Sequence, residues 1–341
     1  MTRTVKDTLK QFSPFSSGIK LETDTEAQIV LAPELGARVL AVSPNGLLGE
    51  NLLWTNPACT QLSESWNFGG ARTWIAPEDK FYLDPQNHWF VPQQMDPGQY
   101  ELTAQTTRQV ECANEFTICN RDQAEYHVRI IRKIKSLDSP PLPGLVKFAG
   151  FEFTHSILNL GTTTWGREVD FMGLWSLVQI NPGGTLLVPL KPDVPAAYRN
   201  YFNIFTVSHL QATKALLRVK IDGKFRGKLG IAPAAARDWL GYLCDRGPNS
   251  YLIIKQFLVD PTGIYLDHPW GQTAAYGDPV QLYNDDGKMG GFGEMECHAP
   301  ANVLKPGEQQ DFSADIRFYT GPIQDLLEFA TQHFSLPDFV F

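Results

Sequence analysis

Three separated stretches of the chain carry side chains whose types and spacing suit proton transfer or the holding of a polyhydroxylated ring. Late in the chain, Glu294-Met295-Glu296-Cys297-His298-Ala299 alternates strictly, so a strand here puts Glu294, Glu296 and His298 on one face and Met295, Cys297 and Ala299 on the other. Carboxylates two residues apart on a strand lie roughly 7 Å from each other. Their repulsion raises the pKa of one and makes it a plausible general base. A solvated outer face explains the same three polar residues without chemistry. A metal held by Glu294, Glu296 and His298 lacks a second His or Asp at ligand spacing, so neither a metal nor another cofactor is expected.

The early stretch runs Trp66-Asn67-Phe68-Gly69-Gly70-Ala71-Arg72-Thr73-Trp74-Ile75-Ala76-Pro77-Glu78 and continues to Phe81, Tyr82, His88 and Trp89. Flat aromatic rings stack on the apolar faces of sugars, and an Arg fork or a carboxylate hydrogen-bonds their hydroxyls. Any one of these Trp side chains reads more readily as core. Arg72, between a Gly pair and a Trp, requires either a carboxylate partner or a ligand, because an unpaired buried guanidinium is costly. In the middle stretch, Phe151-Glu152-Phe153-Thr154-His155-Ser156-Ile157-Leu158-Asn159, period-two geometry puts His155 and Asn159 on the face shared with Phe151, Phe153 and Ile157. His155 is there either a hydrogen-bonded core histidine or a general acid in a cleft.

The elements that must position these groups are short and alternating. Gln28 to Leu31, Arg38 to Val42, Tyr100 to Ala104, Tyr126 to Ile134, Phe151 to Leu160, Val169 to Phe171 and Ala215 to Ile221 read as strands bounded by Gly, Pro, Asn or Asp. So do Trp239 to Leu243, Tyr251 to Phe257, Glu294 to Cys297 and Asp311 to Tyr319. Helical spacing is confined to the tail, where Pro322 opens a segment with Ile323, Leu326, Leu327, Ala330 and Phe334 on one stripe. Lys191 to Phe205 reads as a long loop bordered by Tyr198, Tyr201 and Phe202. Strands without intervening helices cannot form a parallel sheet, which leaves an all-β chain of antiparallel sheets packed face to face. A single domain over residues 1–341 is expected, with a short C-terminal helix.

Composition narrows the function classes. The chain has 43% hydrophobic and 19% charged residues, a globular profile, and its formal net charge of -8 disfavours a nucleic-acid partner. The five cysteines are scattered without metal-ligand spacing and read as mostly reduced core residues. The polar start MTRTVKDTLKQFSPF and the lack of a long apolar run imply no membrane partner and a cytoplasmic location. Nucleophile-elbow, Walker and dinucleotide motifs are missing from the sequence.

In order along the chain, these stretches resemble the galactose mutarotase-like, or aldose 1-epimerase-like, superfamily, whose fold is a large two-sheet antiparallel β supersandwich. Thr154-His155-Ser156-Ile157-Leu158-Asn159-Leu160 is similar to that family's Thr-Asn-His-x-Tyr-Phe-Asn-Leu strand, which implies that His155 is the general acid. Glu294-Met295-Glu296, followed by Pro300 and Leu304-Lys305-Pro306-Gly307-Glu308, is similar to the strand carrying the catalytic glutamate, with Glu294 or Glu296 as the match. A branch with Gly-Gly-x-Arg-x-Trp and Pro-Glu early, a Lys-Gln-Phe strand like Lys255-Gln256-Phe257 and a late Glu-x-Glu strand is more similar still. The chain departs from true mutarotases in having no His-Gly-Gly motif, although His88 lies near its place.

The resemblance implies catalysis by His155 with Glu294 or Glu296, and substrate contacts from Arg72, Trp74, Glu78, His88, Asn159, Lys255 and His298. One carboxylate would take the anomeric hydroxyl proton while His155 protonates the ring oxygen, opening a small-molecule carbohydrate for epimerisation. The alternative is a carbohydrate-binding protein without catalysis. A polysaccharide lyase or hydrolase would need a longer groove and a well-placed Tyr or carboxylate pair.

Overall fold

The computed structural model describes residues 3–59, 66–166, 170–195, 197–270 and 277–334. Period-two burial is plain in the long strands: along Glu125–Ser136 every second residue is buried, with Tyr126, Val128, Ile130, Arg132 and Ile134 inward. Such strands assemble into two large sheets. In spatial order the first holds β1 (Ile19–Leu21), β2 (Gln28–Ala32), β3 (Arg38–Ser43), β4 (Ala71–Ala76), β9 (Gly173–Ile180), β18 (Gly293–His298), β17 (Val280–Asn284), β14 (Gly227–Ile231) and β11 (Tyr198–Phe202). The second holds β12 (Leu210–Ala212), β13 (Leu216–Ile221), β10 (Gly184–Pro189), β15 (Trp239–Cys244), β16 (Ser250–Phe257), β19 (Gln309–Gly321), β8 (Lys147–Asn159), β7 (Glu125–Ser136), β6 (Gln109–Cys119) and β5 (Glu101–Gln105). Neighbouring strands pair antiparallel throughout both sheets. The fold is therefore the two-sheet antiparallel sandwich expected of the sequence.

The facing inner surfaces meet in one continuous core. Ile75, Val178, Leu282, Met295 and Cys297 of the first sheet join Ile130, Phe151, Phe153, Ile253 and Phe318 of the second. Helix α3 (Ile323–Phe334) forms on the stripe expected of the tail. It packs Leu326, Phe329 and Ala330 on the outer face of the second sheet, against Phe148, Leu252 and Tyr319. No helix among the described residues is long and apolar enough to cross a membrane.

Three local expectations are corrected. A first helix, α1 (Val5–Phe12), precedes the sheets, started by a capping box between Thr4 and Asp7 and docked through Val5, Thr8 and Phe12. Its polar sequence hides a narrow stripe at helical spacing. The strand expected at Val169 to Phe171 begins later, at Gly173; Val169 itself lies outside the described residues. The supposed loop from Lys191 to Phe205 contains β11, which pairs with β14 through a bulge between Asn200 and Phe202. Cys112, Cys244, Cys297 and Cys59 are buried, Cys119 is exposed, and no disulfide joins any of them.

Candidate functional site

The outer face of the first sheet, turned away from the common core, carries a cleft. Strand register aligns its floor: Arg72 and Trp74 on β4 stand beside Leu177 and Trp175 on β9, which in turn stand beside Glu296 and His298 on β18. Tyr283 of β17 lies next to Glu294 on one side and Lys228 of β14 on the other. Alternation sends Thr73, Met295 and Cys297 to the opposite, core face. Around this floor Trp66, Glu78, Trp89, Phe202, Arg226, Trp270, Met289 and Phe292 form the walls. Glu78 opens the short helix α2 (Glu78–Phe81).

Glycine lets the chain enter this floor. Gly69 and Gly70 have φ of +97° and +79°, and a Cβ on either would stand 2.2 Å from the Trp54 carbonyl oxygen or 2.3 Å from that of Val39. Only glycine fits there, and β4 starts immediately afterwards. On the other side Asp285 accepts the N–H groups of Gly287, Met289 and Gly291, which fixes the glycine-rich turn that presents Met289 and Phe292.

The charges form two linked groups. Arg72, buried, donates from Nη2 to Glu294 Oε1 at 2.8 Å and lies over the rings of Trp74 and Trp66 at 4.5 and 5.5 Å. Its Nε is 3.8 Å from Asp96, which also accepts from Trp74 Nε1 at 2.7 Å and pairs with the buried Arg38. Arg72 thus has the carboxylate partner its burial requires, while its Nε and Nη1 have no hydrogen-bond acceptor. The second group centres on Lys228, whose Nζ lies 3.3 Å from Asp267, 3.5 Å from Glu296 and 3.8 Å from Glu78, above the Trp175 ring at 4.4 Å. Trp175 Nε1 donates to Glu296 at 3.0 Å, and Trp89 Nε1 to Glu78 at 3.0 Å.

Burial is the main cause that pushes the Glu296 carboxyl up to about 7; Lys228 opposes it, and Glu294, Asp267 and Glu78 reinforce it. Glu78 is likewise raised, first by burial. Burial also works against the charge of Asp267, yet Lys228 and His298 hold that carboxylate below its ordinary value. The same three carboxylates overcome the burial of Lys228 and raise its ammonium. Two neighbouring carboxyls in unlike surroundings result: Glu294 ion-paired to Arg72, and Glu296 poised near neutrality. Such a pair can divide the roles of base and acid.

The structure brings together Arg72, Trp74, Glu78, Glu294 and Glu296 of the residues expected from sequence. It separates the others. His155 stands on β8 in the inter-sheet core, fully buried, bonded through Nδ1 to the Thr73 hydroxyl and packed on Phe153 and Phe312. Burial, then Arg132 and Lys255, hold its imidazole well below the ordinary value. It cannot touch a molecule in the cleft, and the acid role drawn from resemblance does not fit this placement.

Asn159 is also sealed, its amide donating to the carbonyls of Thr163 and Leu304. Lys255 lies under the floor, bonded to backbone carbonyls rather than facing the cleft. His88 projects outward and pairs with Asp84 at 2.9 Å. His298 is on the cleft face but covered, stacked on Trp175 with ring centroids 5.2 Å apart, and burial drives it down to about 3.

Sequence reasoning missed Lys228, Asp267, Asp96 and Trp175. A lysine inside the short apolar strand Gly227–Ile231 is a visible signal, since a charge among buried residues needs partners. Asp96 and Asp267 lie outside any strand, and nothing in their local pattern marks them. Among the described residues no group of three or more His, Cys, Asp or Glu side chains is arranged to hold a metal ion.

Solved structures of other proteins share this architecture. A candidate aldose 1-epimerase from Escherichia coli K12 is similar over 88% of this chain and 98% of its own, with a TM-score of 0.57 and 12% identity. A galactose mutarotase related enzyme from Lactobacillus acidophilus is similar over 90% of this chain and 98% of its own, with a TM-score of 0.51 and 10% identity. A galactose mutarotase-like protein from Lactobacillus casei is similar over 88% and 99%, with a TM-score of 0.50 and 10% identity. At these identities the likeness is one of fold, the galactose mutarotase-like β-sandwich. No curated protein matches the chain in sequence. The profile of the Family of unknown function (DUF6786) matches residues 4–337, nearly the whole length, and the chain belongs to that family.

Proposed function

We propose that the cleft binds a carbohydrate ring and exchanges protons at its anomeric centre, in the manner of an aldose epimerase. The observation that carries this reading is the carboxyl pair Glu294 and Glu296, set in unlike environments on an aromatic-walled floor. Indole rings offer stacking surfaces to the apolar face of a sugar, and Glu78 and Arg226 on the walls offer an acceptor and donors to its hydroxyls. The names of the structurally similar proteins, aldose 1-epimerase and galactose mutarotase among them, support the same substrate class.

In this reaction Glu294, a carboxylate steadied by Arg72, takes the proton of the anomeric hydroxyl, while protonated Glu296 gives its proton to the ring oxygen. The C1–O5 bond breaks, the aldehyde turns about C1–C2, and the reverse transfers close the opposite anomer. Protons and electrons balance with no co-reactant. Lys228 donates hydrogen bonds near the ring oxygen and keeps Glu296 in place; its raised ammonium makes it a poor proton donor.

The test is exchange NMR between the anomers of a panel of free aldoses, with tryptophan fluorescence reporting binding. Acceleration that falls about tenfold per pH unit above pH 7, as Glu296 loses its proton, supports the assignment. Binding without acceleration supports a carbohydrate-binding protein that performs no catalysis, a reading favoured by the placement of His155 outside the cleft.

A further inference from the structure

Directly beneath the carboxyl pair, on the core side of the same strands, lies a second buried cation. Lys255 of β16 reaches across the inter-sheet space, and its Nζ donates to the carbonyl oxygens of Ser176 on β9 at 2.7 Å and Met295 on β18 at 3.1 Å. The Cys297 thiol is its third partner. An ammonium has three N–H donors and accepts nothing, and here three acceptors surround it. The side chain is wholly buried, and none of those partners is a carboxylate. A buried charge without a counter-ion is costly, so its presence calls for a use. Burial lowers this ammonium, and the groups that oppose the shift are the Cys297 thiol and then Glu296 and Glu294, on the far face of β18 in the sheet across from β16.

We propose that Lys255 is a positioning residue that tunes the carboxyl pair through the sheet. It pins the two floor strands at the carbonyls flanking Glu296, and its charge holds the Glu296 carboxyl more acidic than the cleft alone would leave it. This rests on the reading that Glu296 exchanges protons. On the cleft side Glu296 is faced by Lys228 of β14, Asp267, Glu78 of α2, and Glu294 and His298 of its own strand, with Arg72 of β4 beyond Glu294. From the core side come Lys255 and, behind it, His155 of β8 and Arg132 of β7, which gather at Thr73. On the cleft side burial and the neighbouring carboxylates raise Glu296 while Lys228 opposes them, and Lys255 adds to that opposition from below.

Carbon-13 NMR of protein labelled at the glutamate carboxyls measures the effect without any substrate, Glu296→Gln identifying the resonance. In Lys255→Met the Glu296 midpoint moves up by on the order of 0.5 to 1 pH unit, from one unit charge acting across a protein interior. A lysine that only fills space and braces strands leaves the midpoint unmoved, and that result overturns the proposal. If Lys255→Met does not fold, carbon-13 NMR at the lysine Cε of the unaltered protein decides: an ammonium at pH 7 is expected, and a neutral amine there overturns the proposal. Failure to act on any sugar would sink the proposed function while leaving this titration standing, so the two failures are separable.

Discussion

Replacing Glu296 by Gln removes a group that the fold holds far from its ordinary behaviour, and the consequence for stability can be worked from the structure. The carboxyl is displaced from 4.5 to about 7, chiefly by burial. At 1.36 kcal/mol per pH unit this corresponds to about 3 kcal/mol. The sign follows from proton binding. Between pH 4.5 and 7 the unfolded chain has released this proton while the folded protein still holds it, so folding stability falls as pH rises through that window. Below pH 4.5 both states are protonated and the penalty vanishes.

Urea unfolding of the two proteins at pH 4.5, 6, 7 and 8 isolates the effect, because the remaining titrating groups are common to both and largely cancel. The stability of Glu296→Gln relative to the parent should rise by about 3 kcal/mol from pH 4.5 to pH 8, with an unchanged slope in urea. Parallel stability–pH curves would refute the claim that Glu296 is a poised, buried carboxyl.

Three further outcomes test the surroundings. Arg72→Met leaves Glu294 without its buried partner and should cost about 3 kcal/mol in the same urea assay. His155→Ala should lower stability by about 2 kcal/mol, through a core void and an orphaned Thr73 hydroxyl, while leaving the sugar dissociation constant within about twofold; a large loss of binding would place His155 at the ligand after all. Trp66→Ala removes one stacking wall and should weaken sugar binding about tenfold by fluorescence titration, since a lost aromatic contact is worth about 1 kcal/mol and its buried area adds to that.

How much of this was legible in the sequence depends on whether local pattern or tertiary approach decides. Strict alternation in β18 reports a strand and its two faces directly, so the division of Glu294 and Glu296 from Met295 and Cys297 follows from sequence alone. Arg72 was readable from the cost of burying an unpaired guanidinium, although only the fold supplies Glu294 as its partner. His155 shows the limit. Its strand was visible, and so was its face, but that face belongs to the second sheet and looks into the core, whereas the cleft lies on the far side of the first. Alternation fixes which residues share a face without telling which face is open. Asp96 and Asp267 come from irregular segments, where position is set by contacts distant in the chain, Trp74 and Lys228 among them. The helix α1 was hidden by the opposite problem, a polar segment whose buried stripe is only Val5, Thr8 and Phe12.

The most direct measurement of the central claim is anomer exchange NMR on a panel of free aldoses, run with the unaltered protein and with Glu296→Gln. The account predicts that at least one aldose interconverts faster in proportion to protein concentration, and that Glu296→Gln lowers the acceleration on the order of a hundredfold or more. An acceleration undiminished in Glu296→Gln, or none for any aldose, would contradict it.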